Sequence, residues 1–569
     1  MIRTRIFTAV LVAGGLTALA SAATLDEFTD SQAGSLFGYA IANAGDVNSD
    51  GFDDILIGAC YHDHDGYTNA GKVYLYSGRR PYDLLWSCAR NMNEAHYGHS
   101  VIGVGDLNHD GYDDFCVGAM YENESDNNPE RGRVYCYLGG ESVQQGWATN
   151  RSLFADYEHL GSSLAVVPDQ NGDGIDEIAA GGFGDNDPRV VRGRVRILSG
   201  ADGSIIATLS LGPESGVDRF GGSIAAGADF NGDGTEDLAV GAFGYEYLGQ
   251  NEAGTVLVFD GRTLYLGSDA TMLAQYFSPQ PERSGKFGVR VDFGPARFGL
   301  PGASLWVGAQ EESAGAGRVY AFAYDVFDPS PRLTLEAPDG GGKFGHWIAA
   351  RGTDVSGDRS PELVVGAKEA SVNGLSKNGA IYVFDGHALD NPQSPQVVPV
   401  ERIGGRADNV MLARAVGIPN LARAPETNVN DDATDELILG ETTSTGVSKA
   451  FLYSLLPAVW LLGKASPGTT PTLEIQGVPT DQVFLLVSAG NLDSGLSLWR
   501  MVGNLWVDLA SPVSLIIRIG GMMGDTLSLG LPIPDDAPPI TLYLQTLHVR
   551  EGLYGERGRF SNVVELSIQ

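Results

Sequence analysis

The sequence predicts an all-β protein: a seven-bladed β-propeller followed by a small C-terminal β-sandwich-like domain. Three observations carry this. A phrase of about sixty residues recurs seven times. Glycine supplies 77 of 569 residues, about twice the usual share of roughly 7%. After the N-terminal leader no stretch keeps a 3.6-residue apolar period, whereas short apolar runs bounded by turn residues abound.

In chain order, residues 1–22 come first. Arg3 and Arg5 precede an apolar stretch from Ile6 to Ala20, and Ala20-Ser21-Ala22 forms an A-x-A cleavage pattern. This reads as a secretory signal peptide, too short for a membrane span. The expectation is export, to the medium or the cell surface, with no later transmembrane segment. Export permits disulfides. All four cysteines (Cys60, Cys88, Cys116, Cys136) lie in the first quarter of the chain. Cys116 and Cys136 fall in neighbouring expected strands, either bridged or as free buried thiols.

Residues 23–465 hold the repeat. A typical unit opens on an aromatic-Gly step (Leu160-Gly161 in the third), passes through a polar loop, and closes a short apolar strand on Gly-Ala; a Gly-x-Val strand follows. The first copy reads LFGYAIANAGDVNSDGFDDILIGA, then AGKVYLYSG. The closing glycines are Gly58, Gly118, Gly181, Gly241, Gly308, Gly366 and Gly440, spaced by 60, 63, 60, 67, 58 and 74 residues. Units of this size match four-stranded blades, and a linear β-solenoid needs shorter repeats of about 20–30 residues. Runs such as Val73–Tyr76 and Val256–Phe259 are apolar at every position, as strands buried on both faces require. Either Ala23–Phe28 or Ala458–Leu462 completes the last blade.

Four of the polar loops share the form D-x-N-x-D-G-x-x-[DE]. They comprise Asp46, Asn48, Asp50 and Asp54; Asp106, Asn108, Asp110 and Asp114; Asp169, Asn171, Asp173 and Glu177; and Asp229, Asn231, Asp233 and Asp237. Oxygens at alternate positions wrap a hard cation, and glycine at position six permits the sharp turn. Position seven adds a backbone carbonyl, from Phe52, Tyr112, Ile175 and Thr235. Ca²⁺ accepts about six to eight such oxygens; Mg²⁺, which demands stricter geometry, is second choice. One such loop is an ordinary Asx turn; four in register predict about four Ca²⁺ sites. The fifth unit has no ligand set. The sixth (Asp354, Ser356, Asp358, Glu362) has Arg359 in place of the turn glycine, and the seventh (Asn428, Asn430, Asp432, Glu436) has Ala433 there. Neither is expected to bind tightly.

These units resemble the FG-GAP repeats of the integrin alpha-subunit propeller. The resemblance rests on Phe37-Gly38, Tyr97-Gly98, Phe220-Gly221, Phe287-Gly288 and Phe344-Gly345, with Gly-Ala pairs starting at Gly58, Gly118, Gly241, Gly308 and Gly366, and spans residues 24–462. It implies calcium in hairpin loops on one face, and an adhesive role. Heterodimeric integrin function does not carry over, since the rest of that architecture is not recognisable here.

Residues 466–569 follow a Ser-Pro-Gly-Thr linker and lack the repeat. Their apolar runs, and the alternation of Val564–Ile568, suit a small β-sandwich.

The balance of 37 Lys and Arg against 71 Asp and Glu, a net charge of −34, opposes nucleic acid and anionic lipid. No nucleophile elbow, zincin helix or phosphate loop is present. His62 and His64 flank Asp63 without an identifiable third ligand, and His96, His99 and His159 read as surface residues. Adjacent carboxylates such as Asp53-Asp54 recur in every strong loop, so they read as ligands and turn formers rather than acid/base pairs. The expected function is therefore non-enzymatic: a secreted or cell-surface calcium-binding module for an extracellular protein or glycan. The alternatives are an extracellular hydrolase or lyase on a propeller scaffold, and a structural matrix protein.

Overall fold

Alternation along each strand decides where the apolar groups go. Ile55 and Ile57 point to one side of their sheet and Leu56 to the other, and each side meets a different apolar cluster. Likewise Val256 and Val258 face one neighbour, and Leu257 and Phe259 the other. A strand covered on both faces has no polar side, so its sequence reads as a continuous apolar run.

The computed structural model describes residues 23–454 apart from 80, 124–129, 151–156, 185–192, 212–217, 339, 352–359, 391–398, 400, 408 and 419–435, together with the backbone of strands between 458 and 568. The first part forms seven four-stranded antiparallel sheets. Blade 1 comprises Phe37–Gly45, Asp54–Ala59, Lys72–Tyr76 and Leu84–Ala89. Blades 2 to 6 repeat this order. Seven apolar clusters, one for each pair of neighbouring blades, form the core.

The glycines of the repeat mark where blades touch. A Cβ on Gly58, Gly118, Gly181, Gly241 or Gly308 would collide with the carbonyl oxygen of Gly98, Gly161, Gly221, Gly288 or Gly345 in the next blade. Gly440 meets Gly38 in the same way, closing the circle. These six partner glycines are left-handed as well, with φ between +82° and +88°. The glycine of the Gly-x-Val strand makes a third junction: Gly71 bridges to Tyr97, Gly254 to Phe287 and Gly317 to Phe344. The motif is thus a backbone-to-backbone seam between blades.

The ring is closed by the N-terminal strand. Ala23–Ala33 pairs with Val447–Ser454 and becomes the outer strand of blade 7. Ala458–Leu462 pairs instead with Thr472–Gln476. Phe28 packs on Tyr76 and Tyr82 of blade 1. Asp30 Oδ2 accepts from His62 Nδ1 at 2.7 Å, so one histidine of the H-x-H pair is a ring-closure tie. Burial pushes the Asp30 carboxyl up, but the bonds from His62 and the Gln32 amide outweigh this and hold it below its ordinary value. A depressed carboxylate stabilises the fold above its unfolded value, and that contribution is lost as pH falls through the folded value. Asp30→Asn is expected to cost about 2 kcal/mol at about pH 7 and almost nothing at about pH 2. Urea unfolding at both pH values checks this; an equal cost at each would refute the assignment.

Residues 1–22, read from the sequence as a signal peptide, and Asp354, Ser356, Asp358, Asn428, Asn430 and Asp432 of the weak loops lie outside the described residues. None of the four cysteines is in a disulfide, and Cys116 and Cys136 oppose each other across neighbouring strands.

Candidate functional site

Each acidic loop joins the first and second strands of its blade, so blades 1 to 4 carry them at one end of the ring. The local chain makes the turn at the heart of the cradle from its own residues. In loop one Asp46 accepts from the Asp50 amide at 2.8 Å and the Gly51 amide at 2.7 Å, and Asn48 accepts from Asp50 at 2.9 Å. Asp50 accepts from the Phe52 amide at 3.1 Å. The same turns recur on Asp106, Asn108, Asp110 and Tyr112, on Asp169, Asn171, Asp173 and Ile175, and on Asp229, Asn231, Asp233 and Thr235. Gly51, Gly111, Gly174 and Gly234 adopt φ of +85° to +90°, and a Cβ at any of them would have nothing within 4 Å. The turn therefore needs their backbone freedom and not their small size.

The ninth residue behaves differently. Asp54, Asp114, Glu177 and Asp237 are buried and reach back into their own loops. Asp54 accepts from the Val47 amide at 3.1 Å and the Gly78 amide at 3.0 Å. Asp114 does so from Leu107 and Gly139, and Asp237 from Phe230 and Gly261. Burial, opposed by these amides and reinforced by the neighbouring loop carboxylates, pushes Asp54 and Glu177 up to about 7 and Asp114 and Asp237 up to about 6. Such groups favour a positive partner.

Loop three is the most convergent. Carboxylate oxygens of Asp169, Asp173 and Glu177 lie within 4.8 Å of one another, the one such acidic, histidine or cysteine grouping among the described residues. Glu177 Oε2 accepts from the Gln170 amide at 2.7 Å, while the buried Oε1 has no hydrogen-bond partner. All-oxygen donors with an orphaned buried carboxylate oxygen fit a hard divalent cation.

Neighbouring loops lean on one another. Asp113 of loop two accepts from the Asp46 amide at 2.8 Å, a role its position beside a ligand did not reveal. Blade 5, without a ligand set, substitutes a guanidinium. Buried Arg297 donates to Gly386 O at 2.7 Å, Asp390 Oδ1 at 3.0 Å and Pro361 O at 2.6 Å, tying its loop to blade 6.

The opposite end differs. A channel of about 940 Å³, lined by Ile41, Val101, Leu164, Ile224, Val291 and Ile348, runs between the first strands of the blades. Around its mouth the rings of Tyr61, His96, Tyr121, His159 and Phe183 follow one another with centroids 4.5–5.2 Å apart. Arg219 then sits over both Phe183 and Phe243. His96 and His159, expected at the surface, are buried in this belt. The cause is a left-handed backbone just before the Tyr97-Gly98 and Leu160-Gly161 steps (φ +49° and +59°), which turns each ring between the aromatics of two blades. The recurrence of His96, His159, Arg219, Lys286 and Lys343 at that one position was the available signal. His99 does not join the belt: its Nε2 meets the Tyr39 hydroxyl at 3.2 Å on the channel wall. Among the described residues no helix is long and apolar enough to cross a membrane.

Comparison with known proteins agrees with this geometry. A model of the FG-GAP repeat matches residues 37–76, 100–137 and 220–259. Integrin alpha-5 of Xenopus laevis is 31% identical over 259 residues, 43% of this chain and 23% of that protein. Integrin alpha-PS2 of Drosophila melanogaster is 39% identical over 127 residues, 21% of this chain and 9% of that protein. The chain thus spans less than a quarter of the length of these relatives. Among solved structures, a fungal alcohol oxidase in complex with copper aligns with 82% of this chain and 96% of its own at 11% identity and a TM-score of 0.27, too low to bear on function.

Proposed function

Because this chain is an FG-GAP repeat protein built as an integrin alpha-like seven-bladed propeller, we propose that it is an exported, calcium-stabilised module that binds an extracellular protein or a glycan and performs no catalysis. The observation that carries this reading is the aromatic belt from Tyr61 to Phe243 around one mouth of the ring. Tyr61 is exposed and Tyr121, Phe183, Arg219 and Phe243 are half-buried, held by packing around the buried His96 and His159, so they offer contact at small entropic cost, as recognition surfaces do. Export rests on the leader of residues 1–22.

In this reading Asp46, Asn48, Asp50, the Phe52 carbonyl and Asp54 hold one cation, and the matching residues of loops two to four hold three more. The ion supplies charge neutralisation. The chain supplies the cradle: its Asx turns place the oxygens beforehand, and its buried ninth carboxylate anchors the loop to the sheet. Acidic groups otherwise crowded together are thereby stabilised, and the loop end of the ring stiffens.

The test is thermal melting of the EGTA-treated chain with and without Ca²⁺, alongside calorimetric titration. Four sites at a hundredfold excess over Kd supply about 2.7 kcal/mol each and raise Tm by roughly 10 °C. An unchanged Tm and no heat of binding would sink the calcium reading. Screening glycan and extracellular-protein arrays alongside hydrolase and lyase substrates tests the rest. Turnover of any of those substrates would overturn the non-enzymatic assignment.

A further inference from the structure

The four loops share one motif, yet they are not equivalent. The difference starts at position nine, where loop three has Glu177 and the others have aspartate. The aspartates use both oxygens on amides: one from their own loop and one from Gly78, Gly139 or Gly261 at the start of the third-to-fourth-strand connection. Glu177, one methylene longer, uses only Oε2 in this way. Its Oε1 is fully buried and unpartnered, and its carboxylate stands within 4.8 Å of those of Asp169 and Asp173. A buried oxygen without a donor is destabilising, and a cation placed there relieves that cost as well as the mutual repulsion of three carboxylates. Loop three therefore gains more from a cation than a loop whose ninth carboxylate is already satisfied.

Loop four is the opposite case. Arg262 Nη2 lies 2.7 Å from Asp233 Oδ2 and 2.7 Å from Asp260 Oδ2. The guanidinium is held in place from its other side as well, since its Nε and the Arg262 amide both donate to Asp260 Oδ1. Asp233 is the fifth-position ligand of loop four. It thus already has a positive partner within the chain, and a cation must displace it. No arginine contact of this kind is made to Asp50, Asp110 or Asp173 among the described residues.

We propose that the loops load in a set order: loop three first, through the unsatisfied carboxylate of Glu177, and loop four last, because Arg262 acts as its internal counter-ion. This ordering rests on the calcium reading above. The chain would then keep one cation at concentrations where the fourth loop is still closed by arginine, and only a higher cation level would free Arg262.

The experiment uses the full chain, stripped with EGTA and titrated calorimetrically with Ca²⁺ alone. Glu177→Gln is expected to weaken the tightest step by about tenfold or more, since it removes one ligand charge. Asp169→Asn, at an exposed position that leaves the core untouched, should weaken the same step and guards against misfolding of the first variant. Arg262→Gln is expected to tighten the weakest step by about threefold, the scale of a solvent-exposed ion pair. That gain should vanish in Arg262→Gln combined with Asp229→Asn, which disables loop four. If the wild-type chain binds no Ca²⁺, the calcium reading and this ordering fall together. If it binds but both loop-three variants keep the tightest step, or Arg262→Gln leaves the weakest step unchanged, the ordering alone is overturned.

Discussion

Gly241→Ala is expected to destabilise the chain by about 3 kcal/mol, at the upper end of what one added methyl group costs in a packed interior. The cost is steric. The new Cβ would be driven into the carbonyl oxygen of Gly288, a backbone atom of the next blade. Backbone cannot rotate aside as a side-chain tip can, so the two blades must separate along the seam. Gly234→Ala provides the contrast. That glycine has φ +90° with open space around it, so alanine there pays only for the left-handed backbone, about 1–2 kcal/mol. Urea unfolding of the two variants in EGTA separates the two costs. If Gly241→Ala proves no worse than Gly234→Ala, the blade seam does not have the rigidity assigned to it.

Removal of residues 23–33 is expected to abolish the cooperative melting of the ring. Blade 7 would keep three strands, and Val447–Ser454 would become an open edge with unpaired backbone groups, a template for aggregation. The cluster around Phe28, Tyr76 and Tyr82 would open at the same time. Phe28→Ala isolates the packing part of this effect and should cost about 3–4 kcal/mol while leaving the strand paired. Calorimetric melting and size-exclusion chromatography distinguish the outcomes. A truncated chain that stays monomeric and melts near the wild-type temperature would show that the ring does not depend on this strand for closure.

The acidic loops were legible because their chemistry is local. Asp46, Asn48, Asp50 and Gly51 build the turn within six residues, and their spacing alone displays it. Position nine was only half legible. The spacing marks Asp54, Asp114, Glu177 and Asp237 as ligands, and the structure adds that they are buried and hold amides of their own loops, with Gly78, Gly139 and Gly261 bonded as well in three of the four. His62 reads in sequence as a loop residue of an H-x-H pair without a third ligand, since its partner Asp30 lies 32 positions earlier in another blade. The burial of His96 and His159 is hidden for a related reason. Each is sandwiched between aromatics of successive blades, and a polar residue beside a turn gives no hint of what the next blade brings to it.

The sequence by itself determined the repeat, the all-β character, the number of blades and the four acidic loops. Each of these is written in spacings of a few residues or in the recurrence of one phrase, and hydrogen bonding and alternation act over that same short range. Only the tertiary structure decided which strand closes the ring, why the motif glycines cannot be replaced, and how the loops differ from one another. Those answers depend on which groups are pressed together across a blade seam, as with Gly241 against Gly288. They depend equally on whether a buried oxygen finds a donor, as Asp54 does and Glu177 Oε1 does not. Close approach and desolvation arise only once the ring is assembled, so the chain records that a glycine recurs but not which group it meets.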